Sequence, residues 1–333
     1  MQNLIEKNLY KKSLLSYLLW PLSIKYSLIL ILRRKLHLGG YRSRCKIISV
    51  GNIVSGGSGK TPVTIFLAKY LQKQGKKVAV SHRGYKGKFE NENKLISDAN
   101  EVYSFAKDAG DETFLLASKL AGIPVITGRD RKRSIQILEE KYHDLEYIIL
   151  DDSFQHLKVK HDLDFVVFNA IGGIGNGFVL PSGILREPIC ALAYSDYIIY
   201  NGKGEIPSQI QKYNKPILKG KYRIKRFSDI NGREIKPEEK LALLSGIGLP
   251  ASFENTVIKA GLNFEKHFRF PDHYDFKNNE ILKQISADVK LEKIDFLLTT
   301  EKDFAKLQFI EHDLPLIIVE VEFVLENEEE FNL

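Results

Sequence analysis

The sequence predicts an α/β chain: a mostly parallel sheet with helices on both faces, a smaller second α/β domain, and an N-terminal amphipathic helix. Three observations predict it. From Lys46 to Thr64 an apolar run, Ile47-Ile48-Ser49-Val50, enters a glycine-rich loop, and Val63, Phe66, Leu67, Tyr70 and Leu71 then recur at helical spacing. Short apolar runs alternate with helical patterns as far as Tyr200. A further apolar run, Tyr147-Ile148-Ile149-Leu150, ends in Asp151-Asp152.

Strand, glycine loop, Lys60-Thr61 and helix together make a P-loop arrangement, with Val54, Ser55, Gly56, Gly57, Ser58, Gly59, Lys60 and Thr61 as candidate nucleotide contacts. Glycines let backbone N–H groups close around phosphate oxygens, and the helix N-terminus adds partial positive charge. Lys60 suits the β- and γ-phosphates, Thr61 Oγ suits Mg²⁺, and Pro62 suits a first helical turn. The general pattern has glycine where this chain has Val54, so the loop is atypical. The plain alternative is a glycine-rich turn before a helix.

The following elements place charged groups at strand ends, where ligands sit in open α/β sheets. Lys77 to Ser81 is a strand ending in the basic loop His82 to Lys88. Asp111 and Glu112 open a helix; as acids at a helix start they either complement its dipole or serve as base or Mg²⁺ ligand. After the strand Ile123 to Thr127 comes Arg131, which suits a phosphate clamp or a charged helix start. Asp151 and Asp152 are the strand-plus-acid partner that supports Mg²⁺ in P-loop enzymes. Strands at Phe165–Phe168 and Asp196–Tyr200 flank the glycine-rich Gly172 to Gly177 and the stretch Leu180 to Pro188.

These readings divide the chain into an N-terminal helix (1–38), a nucleotide-binding and catalytic domain (39–205), a glycine- and proline-marked linker (206–222) and a smaller C-terminal α/β domain (223–333). The smaller domain carries strands at Leu241–Leu244 and Phe296–Thr299 and a helix from Pro250. A chain of 333 residues with 44% hydrophobic content is globular. Two cysteines without a Cys-x-x-Cys pair argue against a disulfide scaffold or a cysteine zinc site. A net charge of +7 suits nucleic acid, an anionic membrane or an anionic substrate without choosing among them.

The N-terminal apolar stretch Leu14 to Leu32 is followed by Arg33-Arg34-Lys35 and carries Tyr17, Trp20 and Tyr26. An interfacial helix is the preferred reading, with its apolar face in lipid and its basic residues at the headgroups. A spanning helix is allowed by length, although Lys25 at mid-depth costs roughly 2.5–3.5 kcal/mol. A helix packed on the core is the third reading.

The motifs together resemble the tetraacyldisaccharide 4′-kinases, the lipid A 4′-kinases of Gram-negative bacteria. The matching stretches are Ser49 to Asn52 with Gly56 to Pro62; Arg83-Gly84-Tyr85; Gly110-Asp111-Glu112; Asp151-Asp152-Ser153-Phe154-Gln155-His156; Gly175-Asn176-Gly177 through Leu185-Arg186-Glu187-Pro188; Asp272-His273; and Thr300-Glu301-Lys302-Asp303. The N-terminal helix is similar to that family's membrane-docking element. Four positions depart from the usual pattern: Thr113 for Pro, Ser153 for Gly, Tyr274 for His and Ile184 for Pro. None removes a charged group that the chemistry needs.

The resemblance implies ATP- and Mg²⁺-dependent phosphorylation of the 4′-hydroxyl of an acylated disaccharide 1-phosphate, giving the lipid A precursor lipid IVA. It implies an enzyme on the cytoplasmic face of the bacterial inner membrane, peripheral or monotopic, with no nucleic acid and no obligate protein partner. It also implies roles: Asp111 as the base, His273 paired with it, Lys60 and Arg186 as catalytic cations, Arg131 on phosphate, and Thr61, Glu112, Asp151 and Asp152 around Mg²⁺. The alternative is a membrane-associated P-loop GTPase switch, suggested by Thr300 to Asp303. There Lys302 directly precedes Asp303, so the register of a guanine-reading motif fails. No nucleic-acid motif and no basic–aromatic array is present in the sequence.

Overall fold

The fold is that of a computed structural model, which describes residues 9–37, 39–103, 105–231, 233, 240–272, 274–328 and 331–333, with backbone alone at 106 and 107. The long N-terminal helix, α1, spans Leu14–Leu36. The elements after it are β1 (Lys46–Gly51), α2 (Lys60–Lys73), β2 (Val78–His82), β3 (Lys94–Ser97), α3 (Asp111–Lys119), β4 (Val125–Thr127), α4 (Arg131–Lys141), β5 (Tyr147–Asp151), β6 (Leu163–Asn169) and β7 (Tyr197–Asn201). The second half adds α5 (Ser208–Gln211), β8 (Ile217–Ser228), β9 (Leu241–Ser245), α6 (Pro250–Lys259), β10 (Lys266–Arg269), α7 (Asn279–Leu291), β11 (Phe296–Thr300), α8 (Glu301–Leu307) and β12 (Leu316–Leu325).

Among the described residues the twelve strands form one sheet, ordered β10-β9-β11-β12-β8-β7-β6-β1-β5-β2-β4-β3. β1 lies between β5 and β6 and is parallel to both. A strand covered on both faces needs apolar residues on both, and Ile47, Ile48 and Val50 are fully buried. α2 and α3 pack on one face through Val63, Leu67 and Leu116. α4 closes the other face through Ile135 and Leu138. Truncating a fully buried side chain such as Leu67 costs about 2–5 kcal/mol.

The sheet passes into the second half through the antiparallel pair β8–β12. Residues 217–222, read from the sequence as part of the linker, form the first half of β8 and begin pairing with β7 at Ile217. Pro216 punctuates the strand start, and alternating burial along β8 holds it in the sheet. β9, β10, β11 and β12 continue in parallel beyond it, covered by α6, α7 and α8. Loops from the C-terminal ends of β1, β2, β5, β6, β9 and β11 meet in one cleft.

α1 starts at a capping box, in which Ser13 accepts from the Ser16 N–H and Ser16 Oγ accepts from the Ser13 N–H. Of its residues, Ser16, Ser23 and Leu30 are buried, whereas Leu14 is 89% and Leu18 75% exposed. This inverts the pattern of a helix in a soluble core, so the core-helix reading does not fit. By length and composition α1 is long enough to cross a membrane.

Candidate functional site

The site grows from the turn between β1 and α2. Gly56 and Gly59 take positive φ values of 97° and 84°, which L-residues rarely adopt. A Cβ on Gly59 would also overlap the buried hydroxyl of Tyr222 on β8. Asn52 donates to Ser58 Oγ at 2.7 Å and steadies the loop. Val54 departs from the general glycine because the loop begins as a β-bridge to Leu185, with the Ser55 N–H on the Ile184 carbonyl at 2.7 Å. Val54 therefore faces an apolar cluster with Ile53, Ile184 and Leu185, not the main cleft.

At the end of β5, Asp151 accepts from Thr61 Oγ1 at 3.2 Å and from Thr64 Oγ1 at 3.1 Å. Burial pushes its carboxyl up. Asp152 has φ 51°, a strained value for a residue with a side chain, and it projects toward the cleft. Burial pushes the Asp152 carboxyl up as well, but Lys60, at 3.4 Å, and Arg186, at 3.6 Å, outweigh it and hold Asp152 below its ordinary value. Strain, a buried hydroxyl–carboxylate pair and two cations are thus focused on one point.

Arg131 is placed differently from the sequence expectation. Its guanidinium is buried, does not line the cleft, and donates to Ser81 Oγ at 3.0 Å and to the Asp151 carbonyl. Burial lowers its pKa to about 10, which still leaves it charged at neutral pH. Direct phosphate binding by Arg131 is therefore corrected to support behind Asp151, because its hydrogen-bonding face is turned inward.

The opposite wall starts at α3. Glu112 lines the cleft between His82 Nε2, at 3.2 Å, and Lys302 Nζ, at 3.0 Å. The Gly84 N–H donates to His82 Nδ1, so the ring proton sits on Nε2 and is donated to Glu112. Thr113 Oγ1 lies 2.8 Å from the same Nδ1, which gives the departure at 113 a job. Burial pushes the Glu112 carboxyl up, but His82 and Lys302 hold it well below its usual range. Asp111 is not among the residues lining the cleft; its carboxylate pairs with Lys306 at 3.3 Å. His273 lies outside the described residues, so the pairing of Asp111 with His273 is not visible here.

Lys302 and Lys306, given no role from the sequence, lie four apart on one face of α8. Lys302 also pairs with Asp272 at 3.2 Å, and Lys306 donates to the Tyr274 carbonyl at 2.8 Å. The two lysines therefore tie α3 to Asp272 and Tyr274. The signal available was their helical spacing at the end of a strand, but nothing local names their partners. The other departures are also accommodated. Ser153 Oγ donates to Ser49 Oγ, and Tyr274 stacks on Phe270 at 4.7 Å. Asp303, the residue a guanine-reading motif would use, is fully buried and accepts from the Gly246 N–H and Thr300 Oγ1.

The cleft encloses about 900 Å³ between the P-loop and the second half of the sheet. The two halves touch backbone to backbone, since a Cβ on Gly248 would lie 2.7 Å from the Gly57 nitrogen. The whole sequence from 15 to 333 matches the model of the Tetraacyldisaccharide-1-P 4'-kinase family. The chain belongs to that family. It is 35% identical to the tetraacyldisaccharide 4'-kinase of Desulfotalea psychrophila over 92% of each chain. It is 30% identical to that of Halothermothrix orenii over 90% of this chain and 86% of the relative. The crystal structure of LpxK from Aquifex aeolicus in complex with ATP superposes with a TM-score of 0.73 at 28% identity, covering 95% of this chain and 97% of the other. The tetraacyldisaccharide 4'-kinase match favours the kinase over the GTPase switch.

Proposed function

We propose that this chain transfers the γ-phosphoryl group of ATP to the 4′-hydroxyl of a tetraacyldisaccharide 1-phosphate, giving lipid IVA. The observation that carries the reading is the convergence of Lys60, Thr61, Asp152, Glu112 and Arg186 on one cleft in a chain that matches the kinase family over residues 15–333. The 4′-oxygen attacks the γ-phosphorus, the bond to the β–γ bridging oxygen breaks, and ADP leaves with that electron pair. The hydroxyl proton passes to the Asp111 carboxylate, with His273 as its partner.

Lys60 exchanges its ion pair with Asp152 for the β- and γ-phosphates, and Arg186 meets charge developing on the transferred group. Thr61, Asp151 and Asp152 are hard oxygen donors grouped beside the phosphate loop, a set that fits Mg²⁺ held by one or two carboxylates plus phosphates. Bound there, Mg²⁺ supplies charge neutralisation on the phosphates. Glu112 is the further candidate ligand, directly or through water. Lys302 and Lys306 hold α3, which carries Asp111 and Glu112, beside the cleft.

α1 lies in the membrane interface at the cytoplasmic face of the inner membrane. Its exposed leucines, with Trp20, enter lipid, and Arg33 and Lys35 lie at the headgroups. The halves flanking residues 206–222 act as two domains that close on substrate. The test is nucleotide consumption by purified protein with and without the lipid acceptor. ATP turnover that requires the lipid supports the kinase. GTP hydrolysis without lipid would overturn it.

A further inference from the structure

α1 fastens to the rest of the chain largely through polar groups. Its protein-facing side carries Ser16, Ser23 and Leu30, seven residues apart, and then Arg34 one turn later. Ser23 Oγ donates to the Val179 carbonyl at 2.7 Å and accepts from the Ser182 N–H at 3.0 Å. Arg34 makes the second fastening. Its guanidinium grips Glu187 bidentately, Nε to Oε2 at 2.6 Å and Nη2 to Oε1 at 2.9 Å, and Nη2 also donates to the Phe154 carbonyl at 2.9 Å. The guanidinium carbon lies 4.3 Å from the centroid of the Phe154 ring. The side chains of this pair are only 10% and 4% exposed.

The two grips fall beside the cleft. Glu187 directly follows Arg186, and Phe154 is two residues after Asp152. Those neighbours meet in the cleft, Arg186 Nη1 to Asp152 Oδ1 at 3.6 Å. The Arg186 N–H is fixed on the Ile53 carbonyl at 2.7 Å, next to the P-loop. One side chain of α1 thus spans the two loops that deliver the acid and the cation to the reacting phosphates. Two rigid bidentate hydrogen bonds fix angle as well as distance, which a lysine cannot do.

We propose that Arg34 is a positioning residue that sets the placement of Asp152 and Arg186, so that α1 governs the geometry of phosphoryl transfer in addition to docking. The inference rests on the kinase reading above. Small misplacements are costly in such a site: a shift of about 1 Å can lower turnover ~10²-fold.

The test uses the full chain with a tetraacyldisaccharide 1-phosphate in mixed detergent micelles, comparing Arg34→Ala, Arg34→Lys and Glu187→Gln. The expected kcat falls roughly 10- to 100-fold for Arg34→Ala and Glu187→Gln, with Arg34→Lys between parent and Ala. ATP affinity, lipid KM and co-sedimentation with phosphatidylglycerol vesicles stay within about twofold of the parent. Arg34→Ala combined with Arg186→Ala costs less than the product of the two single losses, because part of the effect of Arg34 runs through Arg186 and the rest through Asp152. Unchanged kcat, losses that multiply in the double variant, or a loss confined to KM together with vesicle binding would each overturn the inference. Glu187→Gln, which keeps the shape of its parent, decides the matter where Arg34→Ala fails to fold. A parent protein that phosphorylates no lipid removes the kinase reading, and the inference falls with it.

Discussion

The two walls of the cleft are built in opposite ways. The nucleotide wall is local: Gly56 to Thr61 is one continuous turn, and Asp151 reaches it through a neighbouring parallel strand. The opposite wall is assembled from distant pieces, with α3 joined to α8 and to Asp272 and Tyr274 through Lys302 and Lys306. A local wall is set by backbone geometry, whereas an assembled wall is set by buried charge pairs. Damage to the first should therefore appear in nucleotide handling, and damage to the second in catalysis with nucleotide affinity intact.

The largest effects separate the walls most sharply. Lys60→Ala removes a positive charge from the transferring phosphoryl group and should lower kcat ~10²–10³-fold. Steady-state turnover within a factor of two of the parent would break the P-loop half of the comparison. Asp111→Ala should lower kcat ~10²–10⁴-fold, the usual contribution of a positioned general base, and leave the ATP dissociation constant unchanged. Adding His273→Ala should cost little more if the two act as a unit. Multiplicative losses would give them separate roles.

A smaller effect probes the clasp. Lys306 is 8% exposed and lies between Asp111 and the fully buried Asp303. Burial already pushes the Asp303 carboxyl up, so Lys306→Met leaves it with one cation fewer. Removing one partner of a buried pair typically costs about 3–5 kcal/mol. Chemical denaturation should show a loss of that order, and kcat should fall with ATP affinity held. A weakened ATP affinity at full stability would place Lys306 on the nucleotide wall instead.

The smallest effect concerns pH. Burial, aided by Arg131, pushes the His156 imidazole down to about 4 from an ordinary 6.5. As pH falls below 6.5 the unfolded chain takes up that proton before the folded one, so stability drops through the window from 6.5 to 4. The loss should reach about 1–3 kcal/mol. His156→Gln should flatten that part of the pH–stability curve, and an unchanged slope would place the charge elsewhere.

The same contrast explains what the sequence made legible. Strands such as Tyr147–Asp151 announce themselves because a central parallel strand is apolar on both faces. The P-loop is legible because phosphate binding demands glycines and a helix start in fixed order. The first half of β8 reads as linker because its exposed residues, Lys219, Lys221 and Arg223, alternate with buried or half-buried ones and dilute the apolar signal. Arg131 has no readable direction in the sequence, because an arginine turned toward a buried carbonyl and one turned toward phosphate have the same letter. Lys306 and Arg34 carried no readable role because their partners, Asp111 and Glu187, lie far away in the chain.

The central claim is that both walls serve one transfer from ATP to a lipid hydroxyl. The most direct measurement is to incubate the purified protein with ATP, Mg²⁺ and a tetraacyldisaccharide 1-phosphate in detergent, then analyse the lipid by mass spectrometry and phosphorus NMR. The account predicts a lipid carrying one added phosphate, located at the 4′-position, and none with Lys60→Ala. An unmodified lipid, with nucleotide hydrolysed equally in its absence, would contradict it.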